Sequence, residues 1–495
     1  MLRITFIVME NVYSERIRSL REVMRAKDWD AVVITGGDPH SSEYPAARWK
    51  QVEWLSGFTG EAGDIVVTLD HAGLWTDTRY FIQANTQLQG TGIVLHKTRV
   101  PGQILIPEWL SGQFGGEENV IVAVDGLCMD VSSVRRISAA CGEQVEVVSV
   151  PDLLSGLWKD RPDIPRTPIT ALPEEVAGES RLARMSFLKG WIAEQGCSNM
   201  LLSSLDEIAW LLNIRGSDIE YNPYAISYAI IGPDRSRLFI IKDSYEALDP
   251  QTAATFSELE SDGIEVLPYS DIDVALSSAD CPGLCLDPST LNYNLFTLCS
   301  DFKEVSSPIP LRKAVKTPVE IEGMKKAHLL DGVAMEKFLY WLETSMMADR
   351  SISERDAAVK LGQLRSEIAG YRGDSFETIS AYGPGAALPH YVTPYVNAPM
   401  LEPRGLYLND SGGQYEFGTT DITRTVPLGE CTELEREDYT LVLKGHIDLA
   451  MAVFPKGTAG CQIDALAREP LWKAKRNFGH GTGHGVGFFL GAAVC

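Results

Sequence analysis

Leu20–Ile34, LREVMRAKDWDAVVI, reads as an amphipathic helix running into a buried strand. Leu188–Leu202, LKGWIAEQGCSNMLL, repeats that pattern. Each copy leads into a helical stretch ending in Trp-Leu: Trp54-Leu55 in QVEWLSGF, and Trp210-Leu211 in DEIAWLLNI. Each then enters hydrophobic strands, DIVVTL (64–69) and AISYAII (225–231). Identity between the copies is low, but the order is kept. The pattern predicts an internal duplication of one α/β domain.

Between the copies lies WKDRPDIPRTPITALPEE (158–175). Proline fixes φ and removes donors, so this segment predicts a linker or extended strap. A second boundary falls at SSPIPLRKAVKTPVEIEGMKKAH (306–328). There Thr317, Pro318 and Glu320 make a good helix start. Ala327, Leu330, Ala334, Phe338 and Leu342 recur at helical spacing and are expected to face a core.

The chain has 495 residues, 45% hydrophobic and 22% charged, which predicts a globular protein of several domains. No apolar run reaches membrane-spanning length. The opening MLRITFIVMENV lacks a cleavage site and predicts a tail or first strand rather than a signal peptide. A net charge of −23 argues against nucleic acid and anionic membranes as partners. Nine scattered cysteines, with one CxxxC at Cys281 and Cys285, suit reduced thiols in the cytoplasm better than zinc.

Chemistry gathers after Val315. In YLNDSGGQYEFGTTDITRTV (407–426), Asp410 ends an apolar run and a Ser-Gly-Gly turn is expected next. Asp421 leads into a second run, so a hairpin or meander sets the two acids on neighbouring strands. Such carboxylates repel unless a cation lies between them, and Mn²⁺ suits oxygen donors. Both acids also suit turn caps. GPGAALPHYV (383–392) reads as a strand broken by Gly and Pro turns and carries His390. GHGTGHGVG (479–487) carries His480 and His484 in a glycine frame that lets backbone approach an ion or substrate.

Together GAALPHY, DSGGQYEFGTTDITRT and GHGTGHGVG resemble the long, three-domain aminopeptidase P (Xaa-Pro aminopeptidase) branch of the pita-bread metallopeptidases. QVEWLSGFTGEAGDIVVT and LWTDTRYFIQA resemble its first domain, and KTPVEIEGMKKAH the start of its catalytic domain. The resemblance implies an α/β chain of two related creatinase-N-like domains (13–160 and 161–312) after a tail or strand (1–12). An α+β pita-bread catalytic domain (313–495), incomplete here, follows. It implies hydrolysis of the N-terminal residue from peptides with proline second, using two Mn²⁺ ions that activate water. Asp410, Asp421 and His484 would be metal ligands. His390 and His480 would be catalytic, lying near the scissile carbonyl, with His390 also touching substrate. Arg79, in TDTRY, would contact substrate from the first domain, and a homodimer is implied.

The family supplies two further glutamates and a histidine after the glycine-framed motif. Here FFLGAAVC (488–495) follows, and no Glu or His lies beyond His484. Two carboxylates do not balance two dications. The expectation is a truncated chain that binds at most one Mn²⁺, weakly, with impaired activity. The alternative is a non-catalytic pita-bread module that binds peptides or proteins, as in the peptidase-like domain of the FACT histone chaperone.

Overall fold

A computed structural model describes residues 11–241, 249–278 and 281–494. The expected tail or strand at 1–12 lies outside the described residues except at its end. There Asn11 caps helix α1 (Val12–Lys27) by accepting the Tyr13 N–H at 3.0 Å. Ile17, Leu20 and Met24 form its buried stripe, and Asp28 ends it in a left-handed conformation. The chain forms two compact units, one through Val319 and one from Glu320.

The first unit holds both copies of the duplicated domain. Strands β1 (Ala31–Thr35), β2 (Asp64–Thr68), β3 (Ala72–Thr76), β4 (Val94–Lys97), β5 (Val120–Val124) and β6 (Val145–Ser149) make one sheet, ordered β4-β3-β2-β1-β5-β6. β1, β2 and β3 pair antiparallel in succession, and the outer pairings are parallel. In the second copy, β7 (Asn199–Leu202), β8 (Ser227–Ile231), β9 (Ser236–Ile240), β10 (Ile264–Pro268), β11 (Leu284–Leu286) and β12 (Phe302–Glu304) follow the same plan. Their order is β10-β9-β8-β7-β11-β12, with the same parallel and antiparallel steps. The shared order establishes the duplication more firmly than the sequence echo does. β1 and β7 run through their sheets with nearly every residue buried, as strands covered on both faces must.

The copies are joined by backbone. Val131 N–H donates to Leu291 O at 3.1 Å, Tyr293 N–H to Met129 O at 2.9 Å and Asn294 N–H to Gly126 O at 2.8 Å. The proline-dense segment is an extended strap. Its Trp158 stacks on Trp54 with ring centroids 5.3 Å apart, and its Pro162 O accepts from Arg48 Nη1 at 3.0 Å.

The second unit begins in helix α2 (Pro318–Met347), started at Pro318 as the sequence predicts. Ala327, Ala334, Phe338 and Leu342 are buried, whereas Leu330 is only half-buried and Asp331 is fully buried in its place. Helix α3 (Glu354–Ser366) follows, started by a capping box of Ser353 and Asp356. Two small sheets come next: β14 (Ile379–Tyr382), β15 (Leu406–Ser411) and β18 (Ile422–Pro427) form one, with β15 central. β13 (Tyr371–Asp374), β16 (Gly413–Tyr415) and β17 (Gly418–Thr419) form the other. The expected strand at 383–392 is instead a 3₁₀ turn over Gly383–Ala387, because Gly383 takes φ 59° and Pro384 presets the next residue. Helices α4 (Glu433–Ala450) and α5 (Gly460–Lys473) touch at Gly445, where any Cβ would overlap Ala467 O. No described helix is long and apolar enough to cross a membrane.

Candidate active site

Alternation along β15 decides what each side chain faces. Tyr407, Asn409 and Ser411 are buried, and Asp410 stands on the opposite, half-buried face. Asp410 is paired in register with Thr423 of β18, and Thr423 Oγ1 donates to its Oδ1 at 2.7 Å. Asp421 precedes β18 and lies two residues from Thr423, so it shares that face. Asp410 on β15 and Asp421, one residue ahead of β18, are thus close enough for the charge of one to act on the other, though Asp421 itself lies outside the strand.

The Ser-Gly-Gly segment is not a turn. It carries the chain from β15 directly into β16, and the hairpin turn lies at Glu416–Phe417. Glycine is needed at 412 because a Cβ there would overlap Thr420 O and Ser375 Oγ. That crossing holds Ser411 and Thr420 together, one residue from each acid.

The charges are not independent. Burial pushes the Asp410 carboxyl above its ordinary range, against the opposing pull of His390 and His484. Burial and then the charge of Asp410 push Asp421 up as well. His484 Nε2 lies 3.6 Å from Asp421 Oδ2, while its Nδ1 is 2.8 Å from Gly485 O. A carbonyl can only accept, so Nδ1 carries a proton, and in the neutral imidazole the Nε2 lone pair faces the carboxylate. Two acceptors turned toward each other suit a cation between them.

His390 is half-buried in a turn, near enough to Asp410 to lower its carboxyl when the imidazole is protonated. His480 is exposed, with Nδ1 2.7 Å from Gly481 O and its ring tilted against Phe478 at 4.8 Å. No described contact brings it to Asp410 or Asp421. Arg79 belongs to the first unit and makes a bidentate pair with Asp77, at 2.9 and 2.8 Å.

Three supporting groups escaped the sequence reading. Asp331 and Arg365 form an ion pair at 2.7 Å, both side chains wholly buried. Arg365 also donates to Ser411 Oγ at 3.1 Å, and Thr420 Oγ1 donates to Asp331 Oδ2. The pair thus grips the neighbours of both acids. Glu354 is fully buried and accepts from Tyr382 N–H at 2.6 Å and Tyr391 Oη at 2.7 Å, fixing the residue beside His390. Asp464 binds Arg468 at 2.6 Å and accepts from Thr482, while Arg468 donates to His480 O at 2.7 Å, which ties the glycine-framed loop to α5.

In donor chemistry, two mutually repelling carboxylates and an aimed imidazole fit one divalent cation. Among the described residues no group of three or more His, Cys, Asp or Glu side chains is drawn close enough to enclose a metal. The three donors share a neighbourhood without closing into a cage.

Residues 322–491 match metallopeptidase family M24, and residues 16–157 and 160–320 each match a creatinase/prolidase N-terminal domain. A probable Xaa-Pro aminopeptidase P of Botryotinia fuckeliana is 39% identical, over 96% of this chain and 74% of its own. Aminopeptidase P1 of Arabidopsis thaliana is 36% identical, over 96% and 80%. This chain belongs to the Xaa-Pro aminopeptidase P family. The solved X-prolyl aminopeptidase of Caenorhabditis elegans, described as a cytosolic enzyme with a di-nuclear active site, is 33% identical with a TM-score of 0.91. It aligns over 98% of this chain and 81% of its own. Family membership makes the chain, by descent, a metallo-aminopeptidase with two creatinase-type domains before an M24 domain. The expectation of a truncated product finds no support in these likenesses.

Proposed function

We propose that this chain is an Xaa-Pro aminopeptidase that releases the first residue from peptides with proline second. The facing of His484 Nε2 and the Asp421 carboxylate, with Asp410 charging the same site, carries this reading. Asp410, Asp421 and His484 would hold a divalent cation, Mn²⁺ by analogy. Such an ion, when bound, polarises a carbonyl and acidifies water. The remaining work belongs to side chains. The Nδ1–H of His484, given to Gly485 O, fixes its ring, and Thr423 fixes one oxygen of Asp410. His390, next to Tyr391 anchored on Glu354, would orient the scissile carbonyl and stabilise charge on its oxygen, and His480 would assist from the loop. Arg79 would contact the substrate. A prolyl nitrogen has no hydrogen and its ring restricts the backbone, so strand-like docking fails and a dedicated site is required.

We propose that the ion is Mn²⁺ and that the protein is cytoplasmic, consistent with the cytosolic relative and the net charge of −23. Release of Arg from Arg-Pro-Pro after Mn²⁺ addition tests the reading. Release that Asp410→Asn and His484→Ala abolish is expected, with elemental analysis finding bound Mn²⁺. No release above the Asp410→Asn background would sink the catalytic reading for this chain.

A further inference from the structure

His71 and His96 take no part in the site assigned above. His71 precedes β3, and His96 lies in β4, the edge strand, paired in register with Trp75. Their Nε2 atoms are 3.1 Å apart. Two imidazoles bound to one ion at about 2.05 Å have nitrogens about 2.9 Å apart at a right angle and about 3.4 Å apart at the tetrahedral angle. The observed spacing falls inside that bite.

The surroundings make room for the meeting. His71, Gly73 and Trp75 alternate onto one face of β3, and the rings converge above Gly73. A Cβ at Gly73 would sit 2.7 Å from His71 Nε2, 2.7 Å from Trp75 and 2.8 Å from His96. Only glycine leaves space for both imidazoles. Trp75 stacks flat on His96 at 3.9 Å, 5° from parallel, and Trp109 lies 4.9 Å from His71. The two imidazole rings are half-buried, so solvent ions reach them. Burial lowers the pKa of His71, and burial with the charge of His71 lowers that of His96 to about 4, so both are neutral near pH 7 with lone pairs available.

We propose that His71 and His96 form a two-imidazole seat for a divalent transition-metal ion of borderline softness, such as Cu²⁺ or Ni²⁺, on the edge of the first sheet. Both Nε2 atoms would bind, and the proton now between them would pass through solvent to Nδ1 of the ring that carries it, leaving both imidazoles neutral. Among the described residues no third protein donor encloses the ion, so water completes its shell. Imidazole prefers such ions to the hard cations that carboxylates favour.

Cu²⁺ titration of the full chain, read by tryptophan fluorescence, tests the seat, because Trp75 and Trp109 lie against it. A His484→Ala background removes the other imidazole aimed at a cation. Quenching is expected to saturate near one ion per chain, with His71→Gln and His96→Gln each weakening it about tenfold or more. Cu²⁺ should also protect both histidines from diethyl pyrocarbonate, read by mass spectrometry on the unsubstituted pair, which holds the test if a variant fails to fold. Equal titrations in all variants, or unchanged modification of His71 and His96, would reduce the pair to a hydrogen bond pinning the edge strand.

Discussion

Asp331 and Arg365 show how much of the site rests on one buried contact. Neither side chain meets solvent, and between them they hold Ser411 and Thr420. Removing one partner strands the other charge, so Asp331→Ala should destabilise the second unit by about 3–5 kcal/mol in urea unfolding. Glu207 allows a pH test. Burial first, then the charge of Asp287, raises its carboxyl to about 7 against Ser307, which donates to it at 2.7 Å. Between about pH 4.5 and 7 the folded chain keeps a proton that the unfolded chain releases, so stability falls as pH rises through that window. Glu207→Gln should flatten that fall, worth on the order of 3 kcal/mol, when thermal midpoints at pH 5 and pH 8 are compared. Asp410, Asp421, His390 and His484 were legible because each sits in a glycine- or proline-marked motif. Asp331 was not. An acid on a long helix reads as solvated, and its partner lies 34 residues away.

Among the elements, the crossing from β15 to β16 is the most exacting. Gly412 lies against backbone that cannot yield. Gly412→Ala should cost about 3 kcal/mol or more and, by parting Ser411 from Thr420, lower Mn²⁺ affinity beyond the stability loss. Isothermal titration beside a thermal melt separates the two effects. The helix–strand echo predicted duplication because 3.6-residue and 2-residue periods are local. The common strand order could not be read, since which edge each strand joins depends on contacts distant in sequence. The same limit hid the role of Ser-Gly-Gly: the tripeptide suits a turn, and only the approach of Thr420 shows that it serves a crossing.

At the scale of the whole molecule, α4 leaves Tyr439, Val442, Leu443 and Ile447 exposed along one face. Contiguous apolar surface favours self-association. The homodimer implied by family resemblance would use this unit. Light scattering after size exclusion should show association that Val442→Glu with Ile447→Glu removes, while thermal stability changes little. Composition and charge made a multidomain protein legible, yet gave no sign of this stripe, because α4 has apolar residues on more than one face.

The backbone ties between residues 126–131 and 291–294 set an order of events during synthesis. All pairings of the first sheet are complete once Ser149 has been made, but the segment Gly126–Val131 after β5 then has no mate. At about 5–20 residues per second, a ribosome needs many seconds to deliver Asn294. For that interval the nascent chain carries one finished sheet with an unmatched docking segment, the moment at which a chaperone would have most to shield.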